Sequence, residues 1–316
     1  MARIPIVDFG PDSQSLSNLS LMDHSHRGSI FLEDAEVLSN DAFDGDQFVL
    51  RVSAPRLAAA AEPGSFAHIR CGEMLPMRRP MSVMRTDPRS GWAEFLYKRV
   101  GEGTGLLAKT RPGQKISVLG PIGIPFKPST ARRRPLLIGG GVGIPPMVFL
   151  ADRLRTFGSR MKPLVLMGSE VPFPFQPRPS QILVPGMPQG VIACMPLMED
   201  WEIPSRLASL QGFAGCFDGF VTDLAKAWLD ALGDADRAQV EIFACGPTPM
   251  LKATQGLAKS FGLPSKLCLE EYMACAVGGC AGCAVRIRTP DGPAMKRVCV
   301  DGPVFDGETV VFDGAG

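Results

Sequence analysis

The chain has 316 residues, 45% of them hydrophobic and 21% charged, with a formal net charge of +1. This is enough apolar material for two or three packed domains. Near-neutrality, without a basic stripe or an acidic tail, removes the electrostatic case for nucleic acid or an anionic membrane. No window holds about eighteen unbroken apolar residues, and residues 1–12 lack a basic stretch followed by an apolar core. Neither a membrane span nor a signal peptide is therefore expected, and the cytoplasm is the expected location. Nine cysteines, an odd number, fit reduced thiols better than a disulfide framework.

Residues 1–27 are polar and show no sustained apolar period, so a flexible leader is expected. His24 and His26 within it read as solvated side chains rather than metal ligands. Short alternating runs follow at 35–38, 48–52, 66–69, 81–84, 93–100 and 116–119. Turn chemistry such as Asp44-Gly45-Asp46, Glu62-Pro63-Gly64 and Arg111-Pro112-Gly113 separates them. The spacing predicts a small antiparallel β-barrel over residues 28–130.

Two segments of that barrel carry more than packing needs. In Arg79-Pro80-Met81-Ser82 a strand opens with a cation and a proline and presents a hydroxyl, which suits a phosphate and a flavin edge. In Leu96-Tyr97-Lys98, running on to Gly101-Glu102-Gly103-Thr104-Gly105, a strand passes into a glycine turn. Its backbone N–H groups form an anion cradle, with Thr104 as N-cap or phosphate donor. Each alone reads equally well as a turn; together they favour a diphosphate-bearing cofactor.

Residues 120–134 read as a linker, with Arg132, Arg133 and Arg134 as a solvated face. A buried strand at 135–138 then meets Gly139-Gly140-Gly141-Val142-Gly143-Ile144-Pro145-Pro146 and an apolar helix to about residue 154. Strand, glycine turn and helix place a pyrophosphate on a helix N-terminus, with Gly140, Gly141, Val142 and Gly143 as the cradle. A strict G-x-G-x-x-G is missing, because Ile144 occupies the third glycine position. Further parallel strands are expected at 164–168, 191–194 and 240–244, and helices at 222–232 and 250–261, giving a parallel α/β domain over 131–264. Ligands gather at the carboxyl ends of such strands, where Ser169, Glu170, Cys245, Gly246 and Pro247 fall. Glu170 suits ribose hydroxyls better than a 2′-phosphate. Residues 171–190, with six prolines, read as an irregular surface loop.

The last segment, 265–316, holds Cys275-x4-Cys280-x2-Cys283 and, fifteen intervening residues later, Cys299. Four thiolates at this spacing match the plant-type 2Fe-2S pattern: a glycine-rich loop supplies three ligands and a later segment the fourth. Structural zinc more often takes two separated cysteine pairs, but a zinc-stabilised binding module remains an alternative. Strands are expected at 284–287 and 309–312. Glu270 and Glu271 read as helix-end charges.

Arg79-Pro80-x-Ser82 followed by Gly101-x-Gly103-Thr104 resembles the FAD-binding barrel of the ferredoxin-reductase superfamily. The resemblance implies that Arg79 and the Gly103-Thr104 turn meet the FAD pyrophosphate, that Ser82 lies near the flavin N5 edge, and that Leu96, Tyr97 and Lys98 line the flavin. Many members carry an aromatic residue where this chain has Met81, which leaves Tyr97 to supply ring stacking. In the same superfamily a Cys-Gly-Pro turn sits near the nicotinamide, a role carried here to Cys245, Gly246 and Pro247.

Residues 269–305, with the cysteine loop, resemble the electron-transfer subunit of type B dihydroorotate dehydrogenases, and the likeness extends back to about residue 28. It implies FAD, a 2Fe-2S cluster and NAD as cofactors. It also implies an FMN-containing catalytic partner subunit in a heterotetramer, oxidising dihydroorotate in pyrimidine biosynthesis. The chain leaves no room for the roughly 250-residue barrel such a site would need. The alternative is a reductase subunit of the same architecture serving a hydrogenase or a ferredoxin-linked complex.

Overall fold

The computed structural model describes residues 29–312; the leader at 1–27, with His24 and His26, lies outside them. Six strands, β1 (Phe31–Phe43), β2 (Gln47–Ser53), β3 (Phe66–Ile69), β4 (Arg79–Asp87), β5 (Trp92–Lys98) and β6 (Lys115–Ile122), close into a barrel in the order β1-β2-β5-β4-β3-β6. Alternation drives the closure: Ala35 and Val37, Leu50 and Val52, Val83, and Ala93, Phe95 and Tyr97 all point inward and are buried together. All six expected strands are present. Within the wall, the buried carboxylate of Glu94 accepts from Arg51 Nε at 2.8 Å and from Arg85. Both guanidinium groups lie over the Trp92 ring, at 4.6 and 5.5 Å from its centre, so the charges are paired and covered.

The second unit is a seven-stranded sheet in the order β12-β11-β8-β7-β13-β14-β17. It contains β7 (Arg134–Gly140) and β8 (Leu164–Gly168). The short strands β9 (Arg178–Pro179) and β10 (Ala193–Cys194) pair with each other away from it. The sheet continues with β11 (Ser205–Ser209), β12 (Phe217–Asp218), β13 (Val240–Cys245) and β14 (Ser265–Cys268). These run parallel, while β17 (Val304–Asp306) adds antiparallel at the edge. The strands β7, β8 and β13 are buried on both faces, as parallel sheets demand. Helix Ile144–Arg155 covers one face and helices Val221–Ala231 and Thr248–Phe261 the other.

The third parallel strand differs from expectation. Residues 191–194 do not enter this sheet; Ala193 and Cys194 pair antiparallel with Pro179 and Arg178. The position belongs to β11, whose apolar run is interrupted by buried Arg206. That guanidinium donates to the carbonyls of Val191 (3.0 Å), Ser205 (2.7 Å) and Ile182 (2.7 Å). A strand that buries a cation against backbone oxygens carries no hydrophobic signal. The same contacts pin the proline-rich segment to the sheet.

The arginine run is not a purely solvated face either. Arg132 donates to the carbonyls of Ala238 and Val240, and Arg134 pairs with Asp236 at 2.8 Å.

The cysteine segment contains the hairpin β15 (Ala284–Thr289) and β16 (Gly292–Arg297), followed by the short helix Val298–Asp301. No strand spans 309–312: Gly307–Thr309 forms a 3-10 turn, and Val310 makes an isolated bridge with Ile287. Because β14 and β17 both join the parallel sheet, residues 265–312 are not a detached unit. The cluster loop is an excursion between two neighbouring strands.

Replacing Arg206 by Met should leave three carbonyls without this donor and cost about 3 kcal/mol. A lowered denaturation midpoint, with new proteolytic cleavage between residues 180 and 192, is the expected result.

Candidate redox and dinucleotide sites

The four cysteines come together at the end of the chain. Cys283 and Cys299 are buried, with sulfurs 3.4 Å apart. Cys275 and Cys280 form a second, more exposed group, in which the Cys280 backbone N–H donates to the Cys275 sulfur at 3.4 Å. The Gly282 N–H likewise donates to the Cys280 sulfur at 3.4 Å. Tight backbone curvature makes this possible. Ala276, Gly278 and Ala281 all have positive φ, at 55°, 82° and 53°, and an added Cβ at Gly278 would lie 2.5 Å from Val300 Cγ2.

Burial raises the Cys275 thiol pKa, but backbone hydrogen bonds from Val277, Cys280 and Gly279 outweigh it and bring the value down to about 7. Cys299 goes the other way, up to about 12, because burial and the neighbouring Cys283 oppose its ionisation. Among the described residues no three His, Cys, Asp or Glu side chains converge on a point as one ion would require. The sulfurs instead lie as two pairs, and the backbone donors would suit an anionic cluster with more than one metal. The residues present fit a 2Fe-2S group held by Cys275, Cys280, Cys283 and Cys299.

On the barrel, β4 begins at Arg79, and its guanidinium packs on Gly103, where an added Cβ would sit 3.1 Å from Nε. The strand opening and the glycine turn, read separately from sequence, thus form one cradle. Thr104 is not the N-cap of helix Glu102–Leu107; that position is Gly101. The Thr104 hydroxyl, at the third helical position, accepts the N–H groups of Val100 (3.0 Å) and Gly101 (3.3 Å), the reciprocal contact of a capping box that fixes the turn. Pro80 and Ser82 are half-buried, as is Lys98, while Leu96 faces the α/β unit.

Met81 and Tyr97 point into the barrel core. The Tyr97 ring stacks on Phe48 at 5.3 Å, and its hydroxyl donates to Asn40 Oδ1 at 3.0 Å. A ring committed to the interior cannot stack on a flavin outside it, so Tyr97 does not supply that contact. Alternation along β5 decides this: Phe95 and Tyr97 share the inner face.

At the carboxyl edge of the sheet the two glycine turns meet. A Cβ on Gly143 would fall 2.3 Å from the Cys245 carbonyl oxygen, and one on Gly140 would be 3.2 Å from Pro247 Cδ. Gly140, Gly141, Val142 and Gly143 therefore lie against Cys245, Gly246 and Pro247.

Sequence reasoning missed two neighbours. Cys268 pairs with Cys245 across β13 and β14, and Glu270 Oε1 lies 3.7 Å from Cys245 Sγ. Glu270 and Glu271 are not helix-end charges, since they follow β14 in irregular chain. Desolvation raises the Glu270 carboxyl pKa, partly opposed by the Cys245 thiol. The Cys268 hydrogen bond and burial both hold the Cys245 thiol far above its ordinary range. The pairing of Cys245 with Cys268 depends on parallel register, which neither segment shows alone.

A family model described as the iron-sulfur cluster binding domain of dihydroorotate dehydrogenase B matches residues 270–311. Curated relatives named dihydroorotate dehydrogenase B (NAD(+)), electron transfer subunit, extend the match. The protein of Shouchella clausii is 32% identical over 84% of this chain and 93% of its own length. That of Desulforamulus reducens is 29% identical over 89% and 98%. The chain belongs to the dihydroorotate dehydrogenase B electron-transfer subunit family.

Among solved structures, an NADH-dependent reduced ferredoxin-NADP oxidoreductase studied for flavin-based electron bifurcation superposes with a TM-score of 0.71 at 28% identity. The match covers 89% of this chain and 91% of that one. A ferredoxin reductase of carbazole 1,9a-dioxygenase, at TM-score 0.57 and 23% identity over 74% of this chain and 67% of that one, shares the fold. Barrel, parallel sheet and C-terminal iron-sulfur segment follow one another in the order expected for the family.

In the metal-free chain, alkylation of Cys275 should rise through a midpoint near pH 7, because the thiolate is the reactive form above its pKa. Cys299 should resist up to far higher pH. Site-resolved mass spectrometry across pH 5 to 9 checks both, and equal reactivity of the two cysteines would contradict this geometry.

Proposed function

We propose that this chain is the electron-transfer subunit that carries reducing equivalents between an FMN-containing, dihydroorotate-oxidising catalytic partner and NAD+, in pyrimidine biosynthesis and within a heterotetramer. Cys275, Cys280, Cys283 and Cys299 hold the 2Fe-2S cluster. Arg79, Pro80, Ser82, Leu96, Lys98, Gly103 and Thr104 hold FAD, with Met81 and Tyr97 contributing backbone. Gly140 to Gly143 and Cys245 to Pro247 hold NAD. The flavin exchanges one or two electrons, the cluster one, and the nicotinamide a hydride, which assigns FAD the middle place.

The supporting observation is the adjacency of β13 and β14. One strand ends in the Cys-Gly-Pro turn and its neighbour leads into the cysteine loop, so the two-electron and one-electron ends of the chain start from paired strands. The chain's own residues position these groups. Gly143 admits close approach to Cys245, Arg79 and the turn at Gly103 neutralise a diphosphate, and backbone donors around Cys275 stabilise thiolate charge.

A second reading, a reductase subunit serving a ferredoxin-linked complex, is favoured by the 0.71 TM-score to the NADH-dependent ferredoxin-NADP oxidoreductase. Isolation of the native complex separates the two, since the first requires a companion that carries FMN and binds orotate.

Purified protein should contain FAD, iron and acid-labile sulfide, and should reduce an artificial acceptor with NADH. Cys280→Ala should lose the cluster absorbance and retain FAD and NADH-dependent acceptor reduction, because the flavin residues lie in the barrel. A zinc-containing protein without flavin absorbance would refute the proposal.

A further inference from the structure

We propose that Arg297 is a positioning residue for the 2Fe-2S group, acting on the Cys275 sulfur through the peptide that joins Gly278 to Gly279 and raising the reduction potential of the cluster. The proposal rests on the cluster reading above. Arg297 closes β16 and is the N-cap of the short helix that carries Cys299. Its side chain crosses to the other arm of the site, where Nη1 donates to the Gly278 carbonyl at 2.9 Å. One residue thus joins the segment of the fourth cysteine to the middle of the loop that supplies the other three.

The peptide it grips is the one that faces a sulfur. Beyond the Gly278 carbonyl the same planar amide carries the Gly279 N–H, which donates to Cys275. An added Cβ at Gly279 would lie 4.0 Å from the Cys275 sulfur, so the two residues are neighbours in space. A guanidinium on the oxygen of that amide strengthens the dipole whose positive end meets the thiolate. The Cys280 N–H, 3.4 Å from the same sulfur, adds a second donor.

Arg297 is itself held. Its backbone N–H donates to Asp301 Oδ2 at 2.7 Å, and its Nε lies 3.5 Å from that oxygen. The Arg297 side chain is 41% exposed and that of Asp301 28%, so solvent screens the pair without cancelling its field.

The chemistry gives the two charges opposite effects. Reduction adds one electron to a 2Fe-2S group and makes it more negative, a state that a nearby cation and aligned N–H donors favour. Arg297→Met removes the cation, frees the Gly278 carbonyl and leaves the Asp301 carboxylate uncompensated. Asp301→Asn keeps an acceptor for the Arg297 N–H and leaves the guanidinium uncompensated. A residue that merely tied the loop together would not produce shifts of opposite sign.

The test is a reductive titration of the FAD-loaded full chain at fixed ionic strength, with dithionite as electron donor and the EPR signal of the reduced cluster as readout. Iron and acid-labile sulfide are assayed in each variant. Arg297→Met should move the cluster midpoint to lower potential and Asp301→Asn to higher, both with wild-type iron and sulfide content. Arg297→Lys, which keeps a cation able to reach the carbonyl, should restore most of the shift seen in Arg297→Met. Shifts of the same sign in the Met and Asn variants, or no shift in either, overturn the proposal. Should Arg297→Met hold no cluster, Asp301→Asn decides, and a midpoint there at or below wild type overturns it. Absence of iron and sulfide from wild type overturns the cluster reading and the proposal together.

Discussion

Residues Gly302 to Val304 are where barrel, sheet and cluster loop interlock. The Ile124 N–H, just beyond the last barrel strand, donates to the Gly302 carbonyl, and Ile124 bridges Pro303. Pro303 accepts the Leu269 N–H at 2.9 Å from the chain leaving β14. Val304 then opens β17 and packs over Gly64, where a Cβ would come within 2.9 Å of Val304 Cγ2 and 3.0 Å of Phe126. Gly123 leaves no room for a side chain either, since its Cβ would lie 2.3 Å from Pro303 Cδ. Cys299 sits three residues before this junction. Displacing it would disturb contacts to both other units, so the fourth sulfur is held by the rigid parts of the molecule rather than by its own loop.

The cysteine site has an inner and an outer half, and their environments differ. Cys283 and Cys299 share the large apolar cluster that also holds Met273, Ile287 and Val298. Cys280 is exposed, with Val277 53% and Tyr272 94% exposed nearby in sequence. Burial and the neighbouring Cys283 raise the Cys299 thiol, whereas backbone N–H donors outweigh desolvation at Cys275 and lower it, so the two ionise in opposite directions. His68, opposite Pro80 on β4, has its pKa lowered to about 4 by burial and then by Arg78, and it is neutral at ordinary pH. Neither ring nitrogen has a well-oriented hydrogen bond among the described residues, although the backbones of Arg78 and Met273 approach them.

Local patterns were legible where the physics is local. Barrel strands alternate with period two, and the helices at Val221–Ala231 and Thr248–Phe261 show one apolar face, so both could be read from single segments. The cysteine spacing likewise carries its own meaning. What failed depends on partners distant in sequence. Strand β11 is invisible because the buried Arg206 is satisfied in part by carbonyls of a loop, at Ile182 and Val191, that cannot be placed beforehand. The inward orientation of Tyr97 requires knowing that Phe95 is core, and the approach of Glu270 to Cys245 requires the β13–β14 register. Arg79 and Gly103 were each readable as part of an anion site, yet their contact is a property of barrel closure.

The position of the cysteine loop between β14 and β17 bears on how the site assembles. Lys266, Leu267 and Cys268 pair antiparallel with Asp306, Phe305 and Val304, and the Lys266–Asp306 ion pair flanks that ladder. The two ends of the excursion are thus joined by backbone hydrogen bonds and by burial of Leu267 and Phe305 in the main core. Those contacts are made entirely by protein groups. Once they form, the loop-closure entropy for bringing Cys299 to Cys283 has largely been met, because the β15–β16 hairpin returns the chain to its start. A cluster held by these cysteines would then meet a buried pair that the protein fold itself brings together, in contrast to small domains that fold only around their ion.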